Sequence, residues 1–173
     1  MKVPTYLLPA ERDELLSVVA DHPRDRAIVT LFLYAGLRLA ELCALDWADV
    51  EVARRTIHVG GPRARLVGLH REVEEAVRAY LDARNRFADF EAELGFPLYQ
   101  HPVLFLSSRS QRINWRTVEQ LLDRYTARCS FGASRRITPT VLRDTFARDL
   151  LATGADPHRV AQVLGLASVA RYR

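Results

Sequence analysis

The segment Thr138-Pro139-Thr140-Val141-Leu142-Arg143-Asp144-Thr145-Phe146-Ala147 opens a helix by its own chemistry. Thr138 offers a side-chain oxygen to the first free N–H groups, and Pro139 has the fixed φ and missing donor that suit a first helical position. Gly154 is the expected stop. Arg143 therefore falls in the first turns, where the positive end of the helix dipole adds to any anion site. An ordinary ion pair with a neighbour such as Asp144 is the plain alternative.

A second arginine sits in a comparable setting a hundred residues earlier, in Gly36-Leu37-Arg38-Leu39-Ala40-Glu41-Leu42. Here the plain reading is an Arg38–Glu41 pair at i, i+3 on one helix face.

Outward from these two arginines the rhythm is mainly helical. Pro9 and Pro23 open helices whose apolar sets are Leu15, Leu16, Val18 and Val19, then Ile28 to Tyr34, with Gly36 closing the second. Arg38 to Leu45 reads as a third helix, and Asp46 to Val50 as a polar turn anchored by Trp47. The period then changes to two. Thr56–Val59 and Arg65–Leu69, joined by Gly60-Gly61-Pro62-Arg63-Ala64, predict a hairpin. Arg71 to Phe90 is an amphipathic helix with Val73, Val77, Tyr80 and Leu81 inward, and Glu91 to Pro102 reads as a surface connector. Leu104 to Leu106 fits a short extended piece, and Asn114 caps a helix carrying Val118, Leu121, Leu122, Tyr125 and Cys129. A last helix runs from Asp156-Pro157 to Leu164, and Trp115, like Trp47, is read as a helix anchor. The fold class expected is mainly α with a small antiparallel β-hairpin.

At 173 residues, 49% hydrophobic and 27% charged, the chain is large enough for a core that buries roughly 70% of its unfolded surface. No apolar run approaches the roughly 20 residues of a membrane helix, and the N-terminus lacks the features of a signal or transit peptide. The expected location is cytoplasmic. Cys43 and Cys129 lie in apolar helical patterns and read as free buried thiols, and His58, His70 and His101 do not form a spaced ligand set. Neither a metal nor a cofactor is indicated. Charge is uneven: residues 1 to 106 hold 13 basic and 16 acidic residues, whereas residues 107 to 173 hold 12 arginines and 5 acids. Such a basic C-terminal part suits a polyanion-binding face. Lys2 is the sole lysine among 25 basic residues.

The order helix, helix, Gly-Leu-Arg-x-x-Glu-Leu, Leu-x-Trp-x-Asp, hairpin, helix, Thr-Pro-x-x-Leu-Arg-x-Thr-Phe-Ala, Gly154-Ala155-Asp156 and Leu164-Gly165 resembles the catalytic domain of tyrosine recombinases, the phage integrase family, from about Leu7 to Val169. The resemblance implies a mostly helical domain with a small antiparallel sheet that wraps duplex DNA jointly with an N-terminal core-binding domain. That second domain is expected to be absent, because Met1 lies a few residues before the first helix, which leaves residues 1–173 as a single catalytic-type domain. The family's chemistry is attack of a tyrosine on a phosphodiester to give a 3′-phosphotyrosine, with arginines on the non-bridging oxygens and an acid for the 5′-hydroxyl. By residue match Arg38 and Arg143 are the phosphate arginines, Glu41 braces Arg38, and Tyr172 is the candidate nucleophile. Arg63, Arg65 and Thr140, with Arg109, Arg112, Arg135 and Arg136 flanking nearby loops, are expected against the DNA backbone. A solvated basic face is the alternative for the loop arginines.

Several family positions are altered. The hairpin lysine would fall in Gly60–Arg63, where Arg63 supplies charge but is a poor proton donor. The histidine three residues before the second arginine is Thr140, and the histidine or tryptophan after Leu164-Gly165 is Leu166. Tyr172 lies about one helical turn closer to Leu166 than the family places its tyrosine. Loss of one general acid lowers a rate roughly 10²- to 10⁴-fold. The expected function is DNA binding in recombination or integration with impaired cleavage, alongside an active recombinase or another copy of the chain. Two alternatives remain: an active recombinase using Tyr172, with Arg63 and Thr140 as replacements, and a protein-interaction relic that does not bind DNA.

Overall fold

The computed structural model describes residues 5–93 and 102–172. Helix α1 (Pro9–Val19) leads to α2 (Pro23–Ala35), α3 (Leu39–Ala44) and a 3₁₀ turn at Trp47–Asp49. A three-stranded antiparallel sheet follows, β1 (Val50–Glu51), β2 (Thr56–Val59) and β3 (Arg65–Gly68), in sequence order. The remaining helices are α4 (Arg71–Glu93), α5 (Trp115–Thr126), α6 (Pro139–Ala152) and α7 (Pro157–Leu164), with a 3₁₀ turn at Ala170–Tyr172.

Proline stands at the first turn of α1, α2, α6 and α7, as its fixed φ requires. Side-chain oxygens take up free N–H groups at three starts: Asn114 accepts from Thr117, Thr138 from Val141, and Asp156 from His158 and Arg159. Helix α2 is the centre of the main core, buried almost throughout from Ala27 to Ala35 and packed on α1, α4 and α6. A residue there such as Phe32, fully buried, contributes the several kcal/mol typical of a core aromatic, about 3–5 kcal/mol on truncation to alanine. A smaller apolar cluster of Phe146, Ala147, Val160, Leu164, Val169 and Tyr172 joins α6, α7 and the last turn.

The hairpin register pairs Ile57 with Val67 and His58 with Leu66, so Ile57, Val59 and Val67 face the core while His58 and Leu66 face out. Strand β1 adds Val50 opposite Ile57, a third strand that two residues of sequence do not announce. The expected extended piece at Leu104–Leu106 is instead a turn held by single bridges, Asp46 with Val103 and Leu106 with Arg112. Helix α4 runs past Phe90 to Glu93, and most of the expected connector, with His101, lies outside the described residues. Trp47 and Trp115 do not anchor helices: they are 56% and 52% exposed. Main-chain and charged groups do that work instead. Trp47 N–H donates to Pro102 at 2.9 Å, Arg112 holds the end of α3, and the Trp115 ring carries the Arg116 guanidinium. Cys129 is buried and Cys43 half-buried, both free, and burial pushes each thiol up to about 11. Among the described residues no helix is long and apolar enough to cross a membrane.

Candidate functional site

Four helix ends meet at one place: the C-terminal end of α2, the N-terminal ends of α3 and α6, and the C-terminal end of α7 close around a cleft of about 540 Å³. Its walls include Arg38, Glu119, Thr138, Thr140, Arg143 and Leu166. The two arginines, 105 positions apart in the chain, thus face one space.

Arg143, only 6% exposed, donates to Gly36 O and Leu164 O, each at 2.5 Å. Burial first, and then the nearby Arg38 charge, lower its guanidinium to about 10, while Glu41 and Tyr172 act in the opposite sense. It remains a cation at neutral pH. Arg38 occupies the N-cap position of α3, with Nη1 donating to Glu41 Oε1 at 3.1 Å and Nη2 to Gly165 O at 2.7 Å. A guanidinium has five N–H donors, so both arginines keep donors beyond these carbonyl and carboxylate bonds. A buried cation, Arg143, with the half-buried Arg38 beside it at a helix N-terminus, forms an arrangement that an anion relieves.

Glu41 ties this cleft to the hairpin. One carboxylate oxygen accepts from the Arg38 N–H at 2.7 Å, and Arg65 grips both oxygens at 2.7 and 3.0 Å. Burial alone would raise the Glu41 carboxyl, but the Arg65 hydrogen bond, the Arg38 N–H and both guanidinium charges outweigh it and hold it below the usual range. The last carbonyls of α7, which have no partner within the helix, complete the network. Val163 O accepts from Arg65 Nε at 2.6 Å, Leu164 O from Arg143, and Gly165 O from Arg38 and from Arg63 at 2.5 Å. Sequence reading missed this role of the α7 terminus. Its signal was Gly165 as a left-handed cap, φ 60°.

The remaining candidates are placed unevenly. Thr140 and Leu166 line the cleft with Arg38 and Arg143. Arg63 is exposed at the hairpin turn, whereas Arg65 lies inside on Glu41, its side chain 9% exposed. Arg135 and Arg136 line an adjacent cleft of about 410 Å³ that shares Thr138 and Thr140, but Arg135 is bound to Glu11 and Tyr6 O, and Arg136 to Asp123. Arg109 and Arg112 line neither cleft. Arg109 is exposed, and Arg112 donates to the carbonyls of Cys43, Ala44 and Leu45 and to Asp46. Tyr172 is buried in the smaller apolar cluster, its hydroxyl donating to Asp144 Oδ1 at 3.0 Å. It is not part of the cleft wall. Among the described residues no cluster of His, Cys, Asp and Glu is arranged to hold a metal ion.

Residues 5–172 match the Phage integrase family. Tyrosine recombinase XerC of Thermodesulfovibrio yellowstonii is 35% identical over 148 residues, 84% of this chain and 47% of that protein. XerC of Pelotomaculum thermopropionicum is 34% identical over 171 residues, 95% of this chain and 54% of that protein. The chain spans about half the length of the curated relatives it matches. The crystal structure of XerA recombinase superposes with a TM-score of 0.82 at 31% identity, over 99% of this chain and 58% of that one. The Tn1549 transposon integrase in complex with a circular intermediate DNA gives 0.78 at 19% identity, a likeness of fold alone, over 99% of this chain and 61% of that one. A mainly helical fold with a three-stranded antiparallel sheet, two arginines on one cleft and a family match over nearly the whole sequence lead to one assignment: the chain belongs to the phage integrase family.

Proposed function

We propose that this chain binds duplex DNA by seating a backbone phosphate between Arg38 and Arg143, and that it serves recombination or integration with impaired strand cleavage. The observation that carries the reading is the shared cleft of the two arginines, with Thr140 beside them. Their planar, permanently charged forks suit the non-bridging oxygens of a phosphodiester. Impairment follows from the residue types at the proton-transfer positions. Thr140 and Leu166 offer no acid near neutral pH, the hairpin position carries a guanidinium, a side-chain type that is a poor proton donor, and Lys2 is the sole lysine. A chain of this kind works beside an active recombinase or a second copy of itself. Arg63, Thr140 and exposed Arg109 are further candidates for backbone contact.

Salt-dependent binding to duplex DNA by the unmodified chain, Arg38→Ala and Arg143→Ala tests the pocket without presuming catalysis. Each substitution is expected to weaken binding and to reduce the slope of log K against log salt by about one. Absence of salt-dependent binding in the unmodified chain would remove the reading and favour a protein-interaction role. A second reading, an active recombinase, is favoured by the placement of the Tyr172 hydroxyl within electrostatic reach of Arg143. Covalent capture of DNA through Tyr172 separates the two.

A further inference from the structure

Beside the cleft lies a further buried polar contact: Tyr172 Oη donates to Asp144 Oδ1 at 3.0 Å. Asp144 directly follows Arg143 on α6, and both partners of the contact are buried. The tyrosine belongs to the apolar cluster that contains Phe146, Val160, Leu164 and Val169. The Arg143 guanidinium senses Tyr172 electrostatically, so the phenolic oxygen is held by a carboxylate within range of the phosphate-facing cation.

We infer that Asp144 is the proton acceptor for Tyr172, so that the chain keeps the bond-forming half of phosphoryl transfer while lacking the acid for the bond-breaking half. The inference rests on the reading of the Arg38–Arg143 cleft as a phosphate site. In the step implied, the phenolic proton passes to the Asp144 carboxylate as the Oη–P bond forms. The P–O5′ bond breaks, and the departing 5′-oxygen takes its proton from water. A carboxylate that accepts a hydroxyl proton during phosphoryl transfer is established chemistry. The proton moves with bond formation and not before it. A carboxylate partner makes a free phenolate harder to form, as at Tyr125, where burial and then Asp25 push the phenol up to about 12.

The test replaces the leaving oxygen. A pool of duplexes of randomised sequence, each with one 5′-bridging sulfur in place of the 5′-oxygen, releases a thiolate that needs no acid. Protein–DNA adducts are then counted on denaturing gels, with binding followed in parallel by gel shift. The expected result is adduct through Tyr172 roughly 10²- to 10⁴-fold faster on the sulfur pool than on the oxygen pool, the factor of a missing general acid. Asp144→Asn should slow adduct formation on the sulfur pool and make its rate climb roughly tenfold per pH unit, because the phenolate must then form beforehand. Asp144→Glu should restore part of the rate and the flat profile. Arg143, Arg135 and Arg136 are the charged side chains next to the pair or on the cleft wall that Asp144 shares.

Duplex binding without adduct on the sulfur pool would overturn the inference and leave the DNA-binding reading intact. So would Asp144→Asn, folded by circular dichroism, with the unmodified rate and pH profile. If Asp144→Asn does not fold, the profile of Asp144→Glu decides: a rate that climbs with pH like free phenolate formation overturns the inference, and a flat one supports it. Failure to bind either pool removes both readings together.

Discussion

Glu41 accepts four hydrogen bonds from two arginines, Arg38 and Arg65, and its loss propagates further than a surface pair would. With Arg65 9% and Glu41 10% exposed at the side chain, Glu41→Gln leaves the Arg65 guanidinium inside without its counter-charge. Breaking one side of a buried pair destabilises by about 3–5 kcal/mol, and a value near the lower end is expected because neither group is fully enclosed. Urea unfolding of the two proteins measures it. The sign of the pH effect follows from the lowered Glu41 carboxyl, whose contribution is complete above the unfolded value of about 4.3 and is lost as pH falls through the lower folded value. Acidification through that window should therefore lower the Tm of the unmodified chain more than that of Glu41→Gln; equal losses would contradict this assignment. The Arg38–Glu41 bond was legible in the i, i+3 spacing. The Arg65 partner was not, because it arrives from β3 at 24 positions' distance and no local period encodes it. The sequence reading accordingly sent Arg65 outward to DNA, when its length and bidentate fork serve an interior carboxylate.

At the scale of elements, helix starts were readable because proline and the Asn114, Thr138 and Asp156 caps act locally, and the hairpin because its glycines and β-branched runs do. What lay beyond reach was which ends would meet. The meeting of α2 with α6 turns on Gly36, whose φ of 60° and close approach both exclude a side chain: an added Cβ would sit 2.4 Å from Phe146 Cδ1. Left-handed backbone disfavours a non-glycine residue by roughly 1–2 kcal/mol, and overpacking adds typically 1–3 kcal/mol. Gly36→Ala is thus expected to lose about 2–5 kcal/mol in chemical denaturation. It should also weaken DNA binding, because Gly36 O is one of the two carbonyls that aim Arg143. A loss below about 1 kcal/mol with unchanged binding would show that this junction yields easily. Exposed Trp47 and Trp115 mark the opposite limit of sequence reading: an isolated aromatic is assumed to bury itself, yet main-chain bonds and Arg112 fix the turns beside them.

For the whole molecule, the uneven charge along the chain acquires a second meaning. Arginines of the basic C-terminal part reach back to acids of the N-terminal part: Arg112 to Asp46, Arg124 to Asp25 and Arg135 to Glu11. Arg12 makes the reverse link to Asp149. Part of the asymmetry is therefore internal complementarity that joins distant segments, and it is not available as a field for a polyanion. Counting all twelve C-terminal arginines as phosphate ligands would predict a very steep salt dependence, with a slope near −10. The structure leaves far fewer. Arg38 and Arg143 at the cleft, with Arg63 exposed at the hairpin turn and Arg109 exposed on its loop, imply roughly two to four phosphate contacts and a slope of about −2 to −4. Titration of a fluorescent duplex across a salt series reads this number directly. A slope of about −5 to −6 would mean that Arg112, Arg124 and Arg135 exchange their carboxylates for phosphates on binding. In that case the charge pairs that link the two parts of the chain would open on DNA, and the bound protein would protect its helix junctions from hydrogen exchange less than the free one.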